Sequence, residues 1–239
     1  MNPIVTDRLS KIFKKKPAVD ELTLEVDHGS IFGFLGPNGA GKSTTIRMLC
    51  GILKQTSGSA YVGGFSIDKE SEKIKSIIGY MSQRFSLYDD LTVRENLKFY
   101  SQLYGLSRRQ ISESIELILD RMKIREYRDY LSRNLSGGLR QRLALGCALS
   151  HDPEIIFLDE PTSGVDPVTR KEFWDLIRDI AGSGKTFFIT THYIEEAEKC
   201  DKLGFMFSGK LIALGSPSEL RQNGESLESV FVKLMKDYV

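Results

Sequence analysis

The stretch GPNGAGKS at residues 36–43 decides the fold, because it fits the phosphate-binding pattern G-x-x-x-x-G-K-[ST]. An almost wholly apolar run precedes it, and apolar residues at helical spacing follow it, as in a strand–loop–helix unit. Glycines let the backbone fold tightly, so that N–H groups point at phosphate oxygens near the positive end of the helix. The loop is predicted to bind a nucleoside triphosphate through Gly36, Pro37, Asn38, Gly39, Ala40, Gly41, Lys42 and Ser43.

Two more apolar runs, residues 155–158 and 187–189, lead into polar groups. Short runs of this kind are typical of strands buried on both faces of a parallel sheet, whose carboxyl ends meet at one edge. We expect Asp159 to help hold Mg²⁺ together with the Ser43 hydroxyl, and Glu160 to polarise the attacking water. His192 would bond the γ-phosphate. The alternatives are a surface turn for the carboxylates and a structural role for the histidine.

The segment LSGG at residues 135–138 lies between the phosphate loop and the Asp159 strand. Ser136 is placed to cap a helix, and Gly137 and Gly138 would let an anion approach the helix N-terminus closely. An ordinary capped helix with a glycine-rich start is the alternative. His28 and His151 are both expected in surface loops.

The remaining pattern predicts an α/β core interrupted by helices. Residues 3–35 read as strands with one wet face, and residues 43–53 as a helix with Ile52 facing inward. Residues 84–150 are helical in pattern, with capping boxes at residues 92–95 and 107–110. Asp166 and a following proline predict the start of another helix. A hairpin at residues 203–214 and an amphipathic C-terminal helix complete the chain.

Composition gives little support to nucleic acid as the main partner. The 239 residues carry a formal net charge of +1, and the only basic run is the lysine triplet at residues 14–16. No apolar stretch approaches the roughly 20 residues needed to cross a bilayer, and no signal peptide is expected. The three cysteines, far apart in the sequence, suit a reducing compartment. Any membrane work would therefore be done through another polypeptide.

The motifs in this order resemble the ATPase subunits of ABC transporters, and the resemblance covers nearly the whole chain. It identifies residues 36–44, with Thr44, as Walker A, and residues 155–159 as Walker B. It also implies catalytic roles for Lys42, Glu160, His192 and Gln83. In this family's pattern Gln83 forms the Q-loop and also reaches Mg²⁺, and Asp166 belongs to the D-loop.

The resemblance further implies how ATP is held. Phe13 matches the aromatic residue that stacks on adenine, although a core or edge-strand role is the alternative. Two such domains would pair head to tail, with ATP between one subunit's Walker A and the Ser136, Gly137 and Gly138 of the other. The second subunit is expected to be another copy of this chain. Leu139 and Gly164 depart from the commonest pattern, in which glutamine and alanine stand at those places.

The fold expected is a P-loop NTPase core with a mostly parallel sheet, an N-terminal antiparallel β part and an inserted helical lobe. We expect one domain, residues 1–239, with its core in residues 1–83 and 151–239 and its lobe in residues 84–150. Residues 31–36, 160–167 and 191–197 are similar to those of ABC-2-type exporter ATPases. The resemblance thus implies ATP and Mg²⁺ as cofactors, a transmembrane permease as partner, and a peripheral place on the cytoplasmic face of the membrane.

Two other classes of function remain open from the sequence. A chromosome-maintenance or translation protein uses the same core on nucleic acid, but this chain lacks the long coiled-coil insertions or basic extensions usual there. A non-hydrolysing binding module could dispense with Glu160 and His192, yet both are present. Phe85 and Leu87, just after Gln83, are predicted either to dock a permease or to seal the base of the lobe.

Overall fold

Two β-sheets frame the molecule in a computed structural model, which describes residues 2–84, 86–221 and 225–237. The strands are β1 (Ile4–Phe13), β2 (Lys16–Val26), β3 (Ile31–Leu35), β4 (Ser57–Val62), β5 (Phe65–Ser66), β6 (Ile78–Met81), β7 (Ile155–Asp159), β8 (Thr186–Thr191), β9 (Lys202–Phe207) and β10 (Lys210–Gly215). The helices are α1 (Lys42–Leu49), α2 (Ser71–Ile77), α3 (Val93–Leu103), α4 (Arg108–Arg121), α5 (Gly137–Ala148), α6 (Pro167–Ala181), α7 (Ile194–Ala197), α8 (Pro217–Leu220) and α9 (Leu227–Asp237).

The larger sheet has the strand order β10-β9-β3-β8-β7-β6, and only the β9–β10 pair is antiparallel. Every residue of β3, β7 and β8 is buried, as their continuous apolar sequences predict for strands covered on both faces. Leu35 pairs with Thr191, and Asp159 pairs with Thr190. The three strands therefore end at one edge of the sheet, and the segments that follow them start side by side.

The smaller sheet is antiparallel, in the order β2-β1-β4-β5. Along β2 the side chains of Leu22, Leu24 and Val26 are buried, while those of Thr23 and Glu25 are exposed. This alternation confirms the predicted sheet with one solvent-exposed face. Its buried face packs on the larger sheet in a shared hydrophobic cluster with Phe32, Phe34 and Phe188.

The helical lobe begins with the two predicted capping boxes. The Thr92 hydroxyl accepts from the backbone of Glu95 at the start of α3, and Ser107 accepts from Gln110 at the start of α4. Apolar residues of α3, α4 and α5 share one hydrophobic cluster with the parallel sheet. The lobe is thus inserted in the chain between β6 and β7 but packs continuously on the core.

One prediction about local structure is wrong, and a second holds only in part. The first helix was expected to run to residue 53, but α1 ends at Leu49, and the side chain of Ile52 is 54% exposed. Gly51 adopts a left-handed φ of +66°, which turns the chain away from the helix axis. His151 lies in a loop as expected but is only partly exposed, because its ring stacks on that of Tyr104 with centroids 3.4 Å apart.

Helix α6 and the C-terminal elements agree with the sequence pattern. Asp166 caps α6 by accepting from the backbone N–H groups of Val168 and Thr169, each at 3.0 Å. Trp174, the only tryptophan of the chain, is 1% exposed on the inner face of this helix. The β9–β10 hairpin forms as predicted, and Leu227 and Phe231 of α9 are buried against the core. Among the helices within the described ranges, none combines the length and apolar character that a bilayer span requires.

Candidate active site

The phosphate loop joins β3 to α1 and passes close to two other parts of the chain. Gly41 has a φ of +109°, and a Cβ there would collide with the carbonyl oxygen of Ala18. A Cβ at Gly36 would collide with the carbonyl oxygen of Met206. Asn38 and Gly39 are exposed at the tip of the loop. Glycine is therefore needed at both ends of the turn, because the backbone lies against its neighbours.

Lys42, the first residue of α1, is 4% exposed, and its ammonium group lies inside the loop. Nζ donates to the carbonyl oxygens of Gly36 at 2.7 Å and Pro37 at 3.1 Å. It also lies 3.1 Å from Oε1 of Glu160. The positive charge is thus held between two carbonyl oxygens of the loop and the carboxylate of Glu160.

Glu160 follows β7 and is the centre of the site. Gln83 donates from Nε2 to Oε2 of Glu160 at 3.2 Å, and Nδ1 of His192 lies 3.2 Å from the same oxygen, without the alignment of a hydrogen bond. The glutamate is 7% exposed and has a φ of +47°, a backbone conformation that L-residues rarely adopt. We call Lys42, Gln83, Asp159, Glu160 and His192 the strand-end cluster.

Asp159, the last residue of β7, faces the start of α1. Its Oδ1 accepts from the hydroxyls of Ser43 at 2.9 Å and Thr190 at 2.7 Å. Burial raises the pKa of Asp159, while the two hydroxyl donors oppose that rise and the charge of Glu160 adds to it. A carboxylate and a hydroxyl side by side, both hard oxygen donors, suit Mg²⁺.

Thr190 is a residue that the sequence analysis missed. Its hydroxyl donates to Asp159 and accepts from the backbone N–H of Glu160 at 2.9 Å, so it fixes both carboxylate residues. The signal was present, because a threonine at the end of an otherwise apolar strand is a polar group that needs a partner when buried.

Phe13 lies at the end of β1, and its side chain is 47% exposed. The ammonium group of Lys11 sits 5.1 Å from the ring centroid. An exposed ring at a strand end is compatible with stacking on a base, and that role stays a prediction. Thr44, in the first turn of α1, is half-buried.

The signature segment, residues 135–138, is exposed from Ser136 to Gly137. The Ser136 hydroxyl caps α5 by accepting from the N–H of Leu139 at 3.4 Å. A Cβ at Gly137 would meet nothing within 4 Å, whereas one at Gly138 would collide with Thr169. The hydrogen bonds of Ser136 stay within the start of α5 and do not reach the phosphate loop.

Of three further residues from the sequence analysis, the structure describes two. His28 is exposed, as expected. Leu87 is half-buried and packs on the main hydrophobic cluster, which favours the sealing interpretation for that residue. Phe85, its proposed companion, lies outside the described residues.

Comparisons of the sequence and of the structure with known proteins identify relatives of this chain. A sequence profile for the family described as ABC transporter matches residues 19–163. The Escherichia coli protein described as "Probable multidrug ABC transporter ATP-binding protein YbhF" is 45% identical over 242 residues, covering 98% of this chain and 42% of that protein. This chain therefore spans less than half the length of that relative.

A second relative and one solved structure agree. The Bacillus subtilis "Linearmycin resistance ATP-binding protein LnrL" is 37% identical over 224 residues, which cover 92% of this chain and 72% of that protein. A crystal structure described as the ADP conformation of an ATP-binding cassette of an ABC transporter superposes with a TM-score of 0.84. It is 27% identical and covers 100% of this chain and 98% of its own.

Proposed function

Because this chain belongs to the ABC transporter family, we propose that it is the ATP-hydrolysing subunit that drives a substrate, by export, through a separate transmembrane permease. The fold and the family expected from the sequence are confirmed, and ATP binding and hydrolysis by this domain are part of the proposal. The single observation that carries the proposed mechanism is the convergence of Lys42, Gln83 and His192 on the Glu160 carboxylate.

Each member of the strand-end cluster has a distinct proposed role. Lys42 would shift its ammonium from the loop carbonyls to the β- and γ-phosphate oxygens of ATP. Glu160 would then be free to accept a hydrogen bond from the attacking water and align it with the γ-phosphate. His192 would donate to the γ-phosphate as charge develops. Phosphoryl transfer depends mostly on positioning and charge stabilisation, which is what these groups supply.

We propose that Mg²⁺ would be held by the Ser43 hydroxyl and the Asp159 carboxylate, with Gln83 as a third group. The two groups fit Mg²⁺ chemically, because both are oxygen ligands and Oγ of Ser43 lies 2.9 Å from Oδ1 of Asp159. The described ranges contain no group of three or more His, Cys, Asp or Glu side chains that would form an all-protein cage. A site with few protein ligands suits Mg²⁺, because this ion keeps water molecules and phosphate oxygens among its ligands. When bound, Mg²⁺ neutralises phosphate charge. Asp159 would give up any proton it holds.

The nucleotide site is proposed to close only in a pair of subunits. Phe13 would stack on adenine, and residues 36–44 would hold the phosphates. Ser136, Gly137 and Gly138 of a second copy would cover the γ-phosphate, and Asp166 would lie at the same interface. Exposure of the signature segment, next to the positive end of α5, supports this proposal.

Export and a place at the cytoplasmic face of a membrane are proposed from the relatives. Their descriptions name multidrug transport and linearmycin resistance, which are properties of those proteins. Docking on a permease would use the segment after Gln83, where the lobe begins. A movement of Gln83 on ATP binding would then be passed to the permease.

Co-purification from native membranes tests the proposed function. We expect the tagged chain to carry a membrane-spanning protein in fixed ratio, and the complex to hydrolyse ATP only when Mg²⁺ is supplied. Lys42→Ala is the matched control, and it should keep the permease but lose turnover. Recovery of nucleic acid or a ribonucleoprotein in place of a membrane protein would contradict the proposal.

A further inference from the structure

The carboxylate of Glu196 lies beside the strand-end cluster but has no role in the mechanism proposed above. Glu196 is on the short helix α7 and is 0% exposed. One of its oxygens accepts from the hydroxyl of Thr162, and the other accepts from the hydroxyl of Thr191 at 2.6 Å. Nε of Arg170 lies 3.6 Å from Oε1. A single buried carboxylate thus joins three segments that are distant in sequence.

These contacts flank the catalytic groups. Thr162 is two residues after Glu160, and Thr191 immediately precedes His192. The Thr191 hydroxyl also accepts from the backbone N–H of Tyr193 at 3.0 Å, which fixes the chain on the other side of His192. The two hydrogen bonds of Glu196 therefore set the spacing between the segments that carry the proposed water-polarising carboxylate and the proposed phosphate-binding imidazole.

Arg170 extends the same network to the D-loop segment. Its guanidinium carbon lies 3.9 Å from the ring centroid of Tyr193, and that ring lies 4.1 Å from the ring of His192. Arg170 also donates to the carbonyl oxygen of Val165 at 3.3 Å, one residue before the cap of α6. Continuous contacts thus run from Glu196 through Arg170 and Tyr193 to the imidazole.

Electrostatics favour a fixed geometry for this network. A buried carboxylate without partners is strongly unfavourable, so Glu196 holds its two hydroxyl donors and its guanidinium in place. Glu160, close by, has a φ of +47°, and a strained backbone persists only where its surroundings hold it. The segment 160–165 is therefore held from the outside, by side chains on α6 and α7.

We propose that Glu196 is a positioning residue for ATP hydrolysis, which fixes the distance between Glu160 and His192 without touching the nucleotide. The proposal rests on the proposed function, because it assigns Glu196 to the same reaction. It predicts that loss of the charge slows the chemical step while ATP binding is kept. The side chains of the network do not bond to the phosphate loop, and the carbonyl oxygen of Thr191, which accepts from the N–H of Gly36 at 3.2 Å, is held by the strand pairing of β3 and β8 rather than by Glu196.

Glu196→Gln tests the proposal, because the amide keeps the shape and one acceptor but removes the charge. We expect kcat to fall by about tenfold or more, with KM for ATP changed less than about twofold. Glu198→Gln is the matched control: Glu198 follows α7, pairs with Arg221 at 2.6 Å and has no contact with the network. An unchanged kcat in Glu196→Gln, or an equal loss of ATP affinity, would overturn the proposal.

A second arm asks whether Glu196 acts through His192. In a His192→Ala background, Glu196→Gln should slow hydrolysis less than about twofold further, because the group it positions is already gone. Should the same roughly tenfold loss recur in that background, Glu196 has a general structural role and the proposal is wrong.

A third arm applies if Glu196→Gln does not fold. Thr162→Val removes one hydrogen bond and keeps the volume, and Thr162→Ser restores the hydroxyl. Slow hydrolysis in the valine variant with recovery in the serine variant supports the proposal, whereas wild-type rates in both overturn it. Failure of the proposed function is separate, because the wild type and Glu198→Gln would then hydrolyse no ATP at all.

Discussion

The strand-end cluster and the signature segment differ in how their polar groups are satisfied. In the strand-end cluster, Lys42 and Glu160 are each less than 10% exposed and are paired within one chain. In the signature segment, Ser136 and Gly137 are exposed, and the N-terminus of α5 faces outward. The first region thus pairs its charged groups within one chain, whereas the second is open to solvent. The difference supports the proposal that the groups for hydrolysis come from one chain and that a second subunit closes the site.

The sharpest way to test the first region is Glu160→Gln. The amide keeps the shape of the side chain but cannot accept from water with a full negative charge, so we expect kcat for ATP to fall by about 100-fold or more. ATP binding should persist, and an ATP-bound dimer should accumulate in size-exclusion chromatography. Turnover close to wild type would remove Glu160 from its proposed role.

The second region is tested by Ser136→Arg, with an effect of about tenfold or more on hydrolysis. The bulky cation would block the phosphate of the partner subunit, while the chain's own phosphate loop stays intact. Bound ATP at about 100 times its dissociation constant should therefore still stabilise the variant monomer by about 2.7 kcal/mol in thermal melting. Loss of that stabilisation would place Ser136 in its own chain's pocket.

Mixing two defective variants sharpens the same comparison. Lys42→Ala should lack the ATP-dependent stabilisation, because the charge for the phosphates is gone. Combined with Ser136→Arg, it would form heterodimers with one intact composite site, if one site suffices for turnover. Recovery of hydrolysis in the mixture, absent from either variant alone, is the expected result, measured as phosphate release against the mixing ratio.

The smallest effect concerns the contact between the helical lobe and the core, outside both regions. There His151 packs on Tyr104 of the lobe, and its Nε2 lies 3.1 Å from the carbonyl oxygen of Ile78. Burial lowers the pKa of His151 to about 4. The unfolded chain takes up this proton near pH 6.5. Stability from the neutral ring is therefore complete above about pH 6.5 and is lost as the pH falls towards 4.

The ring is half-buried, so solvent reduces the effect to about 1–2 kcal/mol between pH 7 and pH 4.5. His151→Gln does not titrate and keeps a donor for Ile78. Urea unfolding of both proteins at several pH values isolates this contribution, since all other groups are shared. If the free energies of unfolding of the two proteins changed with pH in the same way, burial of the ring would not control its protonation.

Much of the fold could be predicted because local sequence and topology agree. Continuous apolar runs predicted β3, β7 and β8, and the rule that parallel strands share an edge predicted where Asp159 and Glu160 would lie. The capping boxes of the lobe were readable from four residues each. The roles of the site residues in turnover stay predictions, which the variants above address.

Other features depend on contacts between distant segments and carry little local signal. His151 was expected at the surface because its neighbours are turn-forming, yet the ring is covered by Tyr104, far away in sequence. The buried state of Glu196 runs against the usual exposure of glutamate, and only its partners Thr162, Thr191 and Arg170 explain it. A single sequence does not show which residues distant in the chain are in contact.

The buried position of Trp174 has a consequence for the fluorescence of the protein. Its indole is the only one in the chain, is 1% exposed and lies on α6, the helix that Asp166 caps. The emission of the folded protein should therefore be blue-shifted and come from one known place. A red shift on unfolding would report the whole core, whereas a small intensity change on adding nucleotide would report α6 alone, without any attached dye.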